Sequence, residues 1–132
     1  MDDEAFIASF ESGTLPEAYL RHADHIRLGW LYLTRKPLLA ALESMSTGLR
    51  AFATRLGKAD RYHATITWAY MFLINERMQG LDPSVTWGQF ADTNKDLLTY
   101  RPGILSMYYR PETLASPIAR SAFVLPDRLA KS

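Results

Sequence analysis

Leu38-Leu-Ala-Ala-Leu42-Glu-Ser-Met45-Ser-Thr-Gly-Leu49-Arg-Ala-Phe52-Ala-Thr-Arg-Leu56 is the stretch that decides the fold class of this chain. Leu38, Leu42, Met45, Leu49, Phe52 and Leu56 recur at alternating steps of four and three. Glu43, Arg50 and Arg55 fall off that line. This spacing is one apolar stripe along an α-helix, and Gly57 stands where a helix takes its C-cap. The stripe lasts under three heptads, so it serves the core of a bundle or a dimer contact rather than an extended coiled coil.

The same pattern continues on both sides. Downstream, Asp60 is placed as an N-cap for a helix running to about Met78. Ile66 to Ile74 is apolar almost all round, which makes this the central helix of a bundle. Gly80, Asp82 and Pro83 form a break. Ser84 then caps a further helix to about Leu98, buried through Val85, Trp87, Phe90, Leu97 and Leu98. Upstream, Pro16 to Arg35 reads as one helix, with Pro tolerated in its first turn. Asp2 to Phe10 forms a short first helix stopped by Ser12-Gly13-Thr14. After Tyr100, Pro102, Gly103, Pro111, Pro117 and Pro126 cut the chain into short pieces that still carry apolar residues. This tail, about residues 101–132, is expected to wrap over the bundle with one or two single-turn helices. No segment alternates as a strand does. The expectation is therefore an all-α fold: one compact domain over residues 1–132, a bundle of about five helices under a Pro- and Tyr-containing tail.

Composition narrows the function classes. The chain has 132 residues, 48% of them hydrophobic and 22% charged, enough for one core of ordinary globular character. A net charge of +1 gives no electrostatic argument for nucleic acid or an anionic membrane. The absence of cysteine removes disulfides, thiolate metal sites and a cysteine nucleophile. The acidic start and the lack of a long apolar run point to the cytoplasm, with no membrane partner. There is no Gly-rich phosphate loop, no Gly-x-Ser-x-Gly elbow and no His-Glu-x-x-His signature.

The three histidines fall on two short motifs. His22-Ala-Asp-His25 puts two imidazoles roughly 60° apart on one helix face, with Gly29 one turn on to leave space above His25. His63 stands in Tyr62-His63-Ala64-Thr65 at the start of the central helix. A helix N-terminus there favours the neutral imidazole that a metal ligand or general base needs. If the helices bearing these motifs pack together, His22, His25 and His63 form a three-histidine site, catalytic or metal-binding. An open fourth position would suit zinc. Two histidines with Asp24 or Glu17 would suit iron. Tyr62, Thr67, Asn94 and Tyr109 are the candidate substrate-binding residues. Tyr108-Tyr109-Arg110 either forms a lid or pins the tail, and Arg120 is expected to anchor the tail on Asp127 or a helix C-terminus.

The order His22-x-x-His25-x-x-x-Gly29-Trp30-x-Tyr32-Leu33, Tyr62-His63-x-Thr65-x-Thr67, Asn94-x-Asp96-Leu97-Leu98, Tyr108-Tyr109, Ala119-Arg120 and Phe123-Val124-x-Pro126-Asp127 resembles a family of small bacterial all-α proteins of uncharacterised activity. The resemblance spans about residues 20–127. It implies that the whole chain is one unit and carries no mechanism with it.

Two functional expectations follow. The first is a small enzyme acting on a small polar organic molecule through the three histidines, with or without one divalent metal. Zinc would give a lyase or hydrolase, iron an oxygenase. The second is a non-catalytic module that binds a small molecule or a protein, or an accessory subunit, with structural histidines. The apolar stripe of 38–56 makes a homodimer one candidate assembly.

Overall fold

A computed structural model describes residues 1–100 and 103–128. Every regular element among them is helical, and the helices form a compact bundle. The α-helices are α1 (Asp3–Ser12), α2 (His22–Arg35), α3 (Leu38–Arg55), α4 (Ala64–Met78), α5 (Trp87–Thr93), α6 (Lys95–Leu98), α7 (Pro111–Leu114) and α8 (Pro117–Ser121). Single 3-10 turns at Glu17–Tyr19, Ala59–Arg61 and Ile104–Met107 link them. No helix among the described residues is long and apolar enough to cross a membrane. Pro102, one of the expected breakers, lies outside the described residues.

The core is the mutual packing of α2, α3 and α4. Ile26, Leu28, Trp30 and Leu31 of α2 meet Met71 and Ile74 of α4 and Leu42, Met45 and Leu49 of α3 in one buried cluster. α3 spans the stripe almost as its spacing predicts, and Gly57 follows it with φ of 70°, a conformation that costs glycine least. Gly29 has a different use from the one its position suggested. A Cβ built on it would stand 2.8 Å from Met71 Sδ and 3.0 Å from Ile74 Cδ1. Its missing side chain therefore lets α2 approach α4, rather than leaving space above His25.

Two expected helices are broken, and both breaks serve the core. The span 16–35 is a 3-10 turn followed by α2, because Leu20 leaves helical geometry (φ −128°, ψ 60°) and sinks into the interior. Arg21 N–H then donates to Asp24 Oδ2 at 2.9 Å, restarting the chain as a helix at His22. The span 84–98 starts instead at Trp87, where Thr86 and Gln89 form a reciprocal capping box. It stops at Asn94, whose side chain turns back to the Phe90 carbonyl at 2.8 Å. The restart as α6 fully buries Leu97.

The tail is bolted to the start of α4. Thr65 Oγ1 donates to Ala122 O and accepts from Val124 N–H, at 2.8 and 3.0 Å. Tyr109, 1% exposed, donates its hydroxyl to Val124 O at 2.6 Å. Phe123 stacks on Trp68 and meets Phe72 edge-on. Arg120 anchors the tail through the Asp60 carbonyl at 2.8 Å, not through Asp127. Asp127 is taken by Arg110 N–H and by the Thr113 hydroxyl.

If the α2–α4 approach holds the core together, Gly29→Val must displace the buried ends of Met71 and Ile74 or part the two helices. The expected loss is about 2 kcal/mol or more of unfolding free energy in urea denaturation, an overpacking cost larger than any gain in helix propensity. A variant as stable as the parent would contradict this packing.

Candidate functional site

The local breaks set the site. Because α2 begins at His22, the first histidine occupies a helix's first residue and His25 lies one turn in. Because the residue before Ala64 is His63, that histidine is itself the N-cap of α4, the role Asp60 was expected to fill. Asp60 belongs to the preceding 3-10 turn. A pocket of about 450 Å3 opens between these helix starts, the 3-10 turn of Glu17 and the C-terminal half of α3. His22, His25, His63, Tyr62 and Thr67 all stand in its wall, with Leu49, Phe52 and Leu56 as its apolar side. Beneath His22 and His25 lies an inner cavity of about 60 Å3, also touched by Thr67 and Tyr70.

The three imidazoles are held in one way. His22 Nε2 is 2.9 Å from Leu97 O, His25 Nε2 is 3.1 Å from Leu20 O, and His63 Nε2 is 2.7 Å from Leu114 O. A carbonyl oxygen only accepts, so each Nε2 carries a hydrogen, and in the neutral ring Nδ1 then carries the lone pair. At His63 that lone pair is used: Nδ1 accepts from Ile66 N–H at 3.1 Å, capping α4. At His22 and His25 no described residue bonds to Nδ1. The His22 ring also meets Tyr70 and Tyr100, with centroids at 5.1 and 5.5 Å.

His63 has no lone pair left for a metal, so its place in a three-histidine centre does not fit. Among the described residues, no group of three His, Cys, Asp or Glu side chains is disposed to hold a metal ion. The carboxylates considered for a two-histidine iron site are engaged elsewhere, Asp24 with Arg21 N–H and Glu17 with Lys58 Nζ at 2.8 Å.

Burial favours the neutral form of His25 and of His63. Burial first, and then the neighbouring His22, push His25 from the usual 6.5 down to about 4, against weaker pulls from the Leu20 bond and Asp24. Burial also lowers His63; Arg120 acts in the same direction and the Leu114 bond opposes it. Protonating His63 would moreover set an Nδ1–H against Ile66 N–H and undo the cap.

The charged rim was not singled out from the sequence. Lys58 and Arg61 stand in the wall with Glu17 and Tyr100. The Lys58 hydrogen bond and charge hold Glu17 below its ordinary value, with a smaller push from Arg61. Arg50 lies over the Tyr62 ring at 4.8 Å. The Tyr62 hydroxyl is buried and has no hydrogen-bond partner among the described residues, a state that costs about 1–3 kcal/mol unless something else satisfies it. The readable signal was Lys58-Ala-Asp-Arg61, two cations immediately before Tyr62-His63.

Asn94 and Tyr109 do not stand in this wall. Asn94 ends α5 and accepts from Arg77, which also grips Asp96 in a paired bridge. Tyr109 pins the tail. A wider groove of about 680 Å3 lies between α1 and α3, but its polar groups are largely spent on structure. There Tyr32 donates to Glu11 at 2.7 Å and Arg55 to Leu15 O at 2.9 Å.

Comparison of the chain with family models, curated proteins and solved structures finds no match. The site therefore rests on its own geometry.

A histidine kept neutral by the fold makes stability depend on pH with a fixed sign. The unfolded chain takes up the proton near 6.5, whereas folded His25 takes it up only near 4. Stability is therefore full above about pH 6.5 and falls as pH drops toward 4, by up to about 3 kcal/mol from this residue. Denaturation of parent and His25→Gln from pH 7.5 to 4.5 should show a shallower decline in the variant. Parallel declines would mean that His25 titrates normally in the folded protein. Separately, His63→Ala removes both a cap and the Leu114 bond and should cost about 2 kcal/mol at pH 7.

Proposed function

We propose that this chain binds a small polar organic molecule in the pocket at the starts of α2 and α4, acting in the cytoplasm. The observation that carries the reading is the pair of Nδ1 lone pairs on His22 and His25. Both residues stand in the wall of one cavity, together with Tyr62, whose buried hydroxyl has no hydrogen-bond partner among the described residues. A volume of about 450 Å3 lies within the range of small-molecule sites. The wall combines an apolar side with a few polar groups, as such sites do.

The low basicity of His25 favours binding over proton abstraction. A general base works best with a pKa near the working pH, and an imidazole held near 4 is instead a permanent hydrogen-bond acceptor at neutral pH. In this reading His63 is architectural: it fixes the Tyr62–His63 corner of the pocket to the tail. The expectation of a three-histidine enzyme narrows to a two-histidine recognition site, and no step of the proposal runs through a metal.

The test is a 15N-resolved NMR titration of the protein with a panel of small neutral, cationic and anionic organic molecules at millimolar concentration. The expected perturbations centre on residues 20–25 and 61–67. His25→Ala should weaken the best-bound member about three- to tenfold, the range of one lost hydrogen bond. Asn94→Ala should leave it unchanged. Perturbations spread evenly over the surface, or equal affinities in both variants, would overturn the proposal.

A further inference from the structure

We propose that the ligand of this pocket is a small carboxylic acid carrying a hydroxyl or N–H donor, with its carboxylate on Arg61 and Lys58 and its donor on the His22–His25 pair. This rests on the binding reading above and adds the chemical class.

The charge of the wall selects an anion. Among the described residues Glu17 is its one carboxylate, against two fixed cations, Lys58 and Arg61. Lys58 is already bonded to Glu17 at 2.8 Å. Arg61 makes no ion pair among the described residues, and it is close enough to Glu17 to lower that acid's pKa. A ligand amine would face a wall of net positive charge, whereas a carboxylate matches the fork of an arginine.

The imidazole tautomers select the opposite end. Leu20 O and Leu97 O each take an Nε2–H, so the ring nitrogen left over on a neutral His25 or His22, both in the pocket wall, is an acceptor. Whatever lies against them must bring a hydrogen. The Tyr62 hydroxyl, buried without a partner, can donate or accept between the two ends. Phe52, Leu56 and Leu49 form the apolar side on which the body of the molecule would lie. The result is an acid at one end, a donor at the other and an apolar middle.

Four probes of nearly equal size separate these features: mandelate, its neutral methyl ester, phenylacetate (which lacks the hydroxyl) and 2-amino-1-phenylethanol, a cation. Affinities are measured by NMR titration on the full chain. Mandelate should bind at least about tenfold more tightly than its ester or the amine, the size of a charge-assisted hydrogen bond. Phenylacetate should fall about threefold or more below mandelate. Arg61→Gln, checked for unchanged thermal unfolding, should cut the preference for mandelate over its ester about threefold or more, and an unchanged preference would overturn the inference. An ester or amine that binds the pocket as tightly as mandelate would overturn the inference and leave the binding reading standing. If none of the four perturbs residues 20–25 or 61–67, both fall.

Discussion

Three leucine carbonyls, from three separate breaks in the helical pattern, each accept the Nε2–H of a histidine. Leu20 O is freed at the turn before α2, Leu97 O at the end of the short α6, and Leu114 O at the end of α7. Carbonyls at helix ends lack intrahelical donors, so the imidazoles satisfy groups that the breaks would otherwise strand. The same bonds fix the tautomer of all three rings. The site's chemistry and the stability of its walls therefore come from one set of contacts.

The rest of the structure can be understood as support for those contacts. The close approach at Gly29 holds α2 against α4 and so sets the two histidine motifs around one cavity. α3 supplies the apolar side of the pocket and, through Lys58 and Arg61 just after it, the charged side. The tail, tied by Thr65, Tyr109 and Arg120, presents Leu114 O to His63. His63 thus couples the last third of the chain to the first turn of the central helix, and its two nitrogens are fully used in doing so.

Much of this was legible in the sequence. The periodic stripe of 38–56 and the apolar run of 66–74 identified α3 and α4, and the proline spacing identified a tail of single turns. The breaks at Leu20 and Asn94 were not legible, because local propensity alone keeps 16–35 and 84–98 helical. The core demand for Leu20 and Leu97 is a tertiary effect that overrides it. The Asp60 and His63 assignments were exchanged for a related reason. Asp is the commoner cap, and only the position of Leu114, contributed by a distant segment, makes His63 the better one. Asn94 and Tyr109 looked like site residues because polar groups inside apolar stretches often are, but here they end a helix and pin a tail. The cationic pair at Lys58 and Arg61 was readable as charge, but its place in the pocket depends on how the turn after α3 folds.

The central claim is that all three rings carry their hydrogen on Nε2, with His63 saturated and His25 neutral and left open. Long-range 1H–15N correlation of the histidine side chains tests it most directly. The account predicts three Nε2–H patterns at pH 7, with His25 keeping its neutral pattern at pH 5. An Nδ1–H tautomer at His63, or a His25 ring that protonates near 6.5, would contradict it.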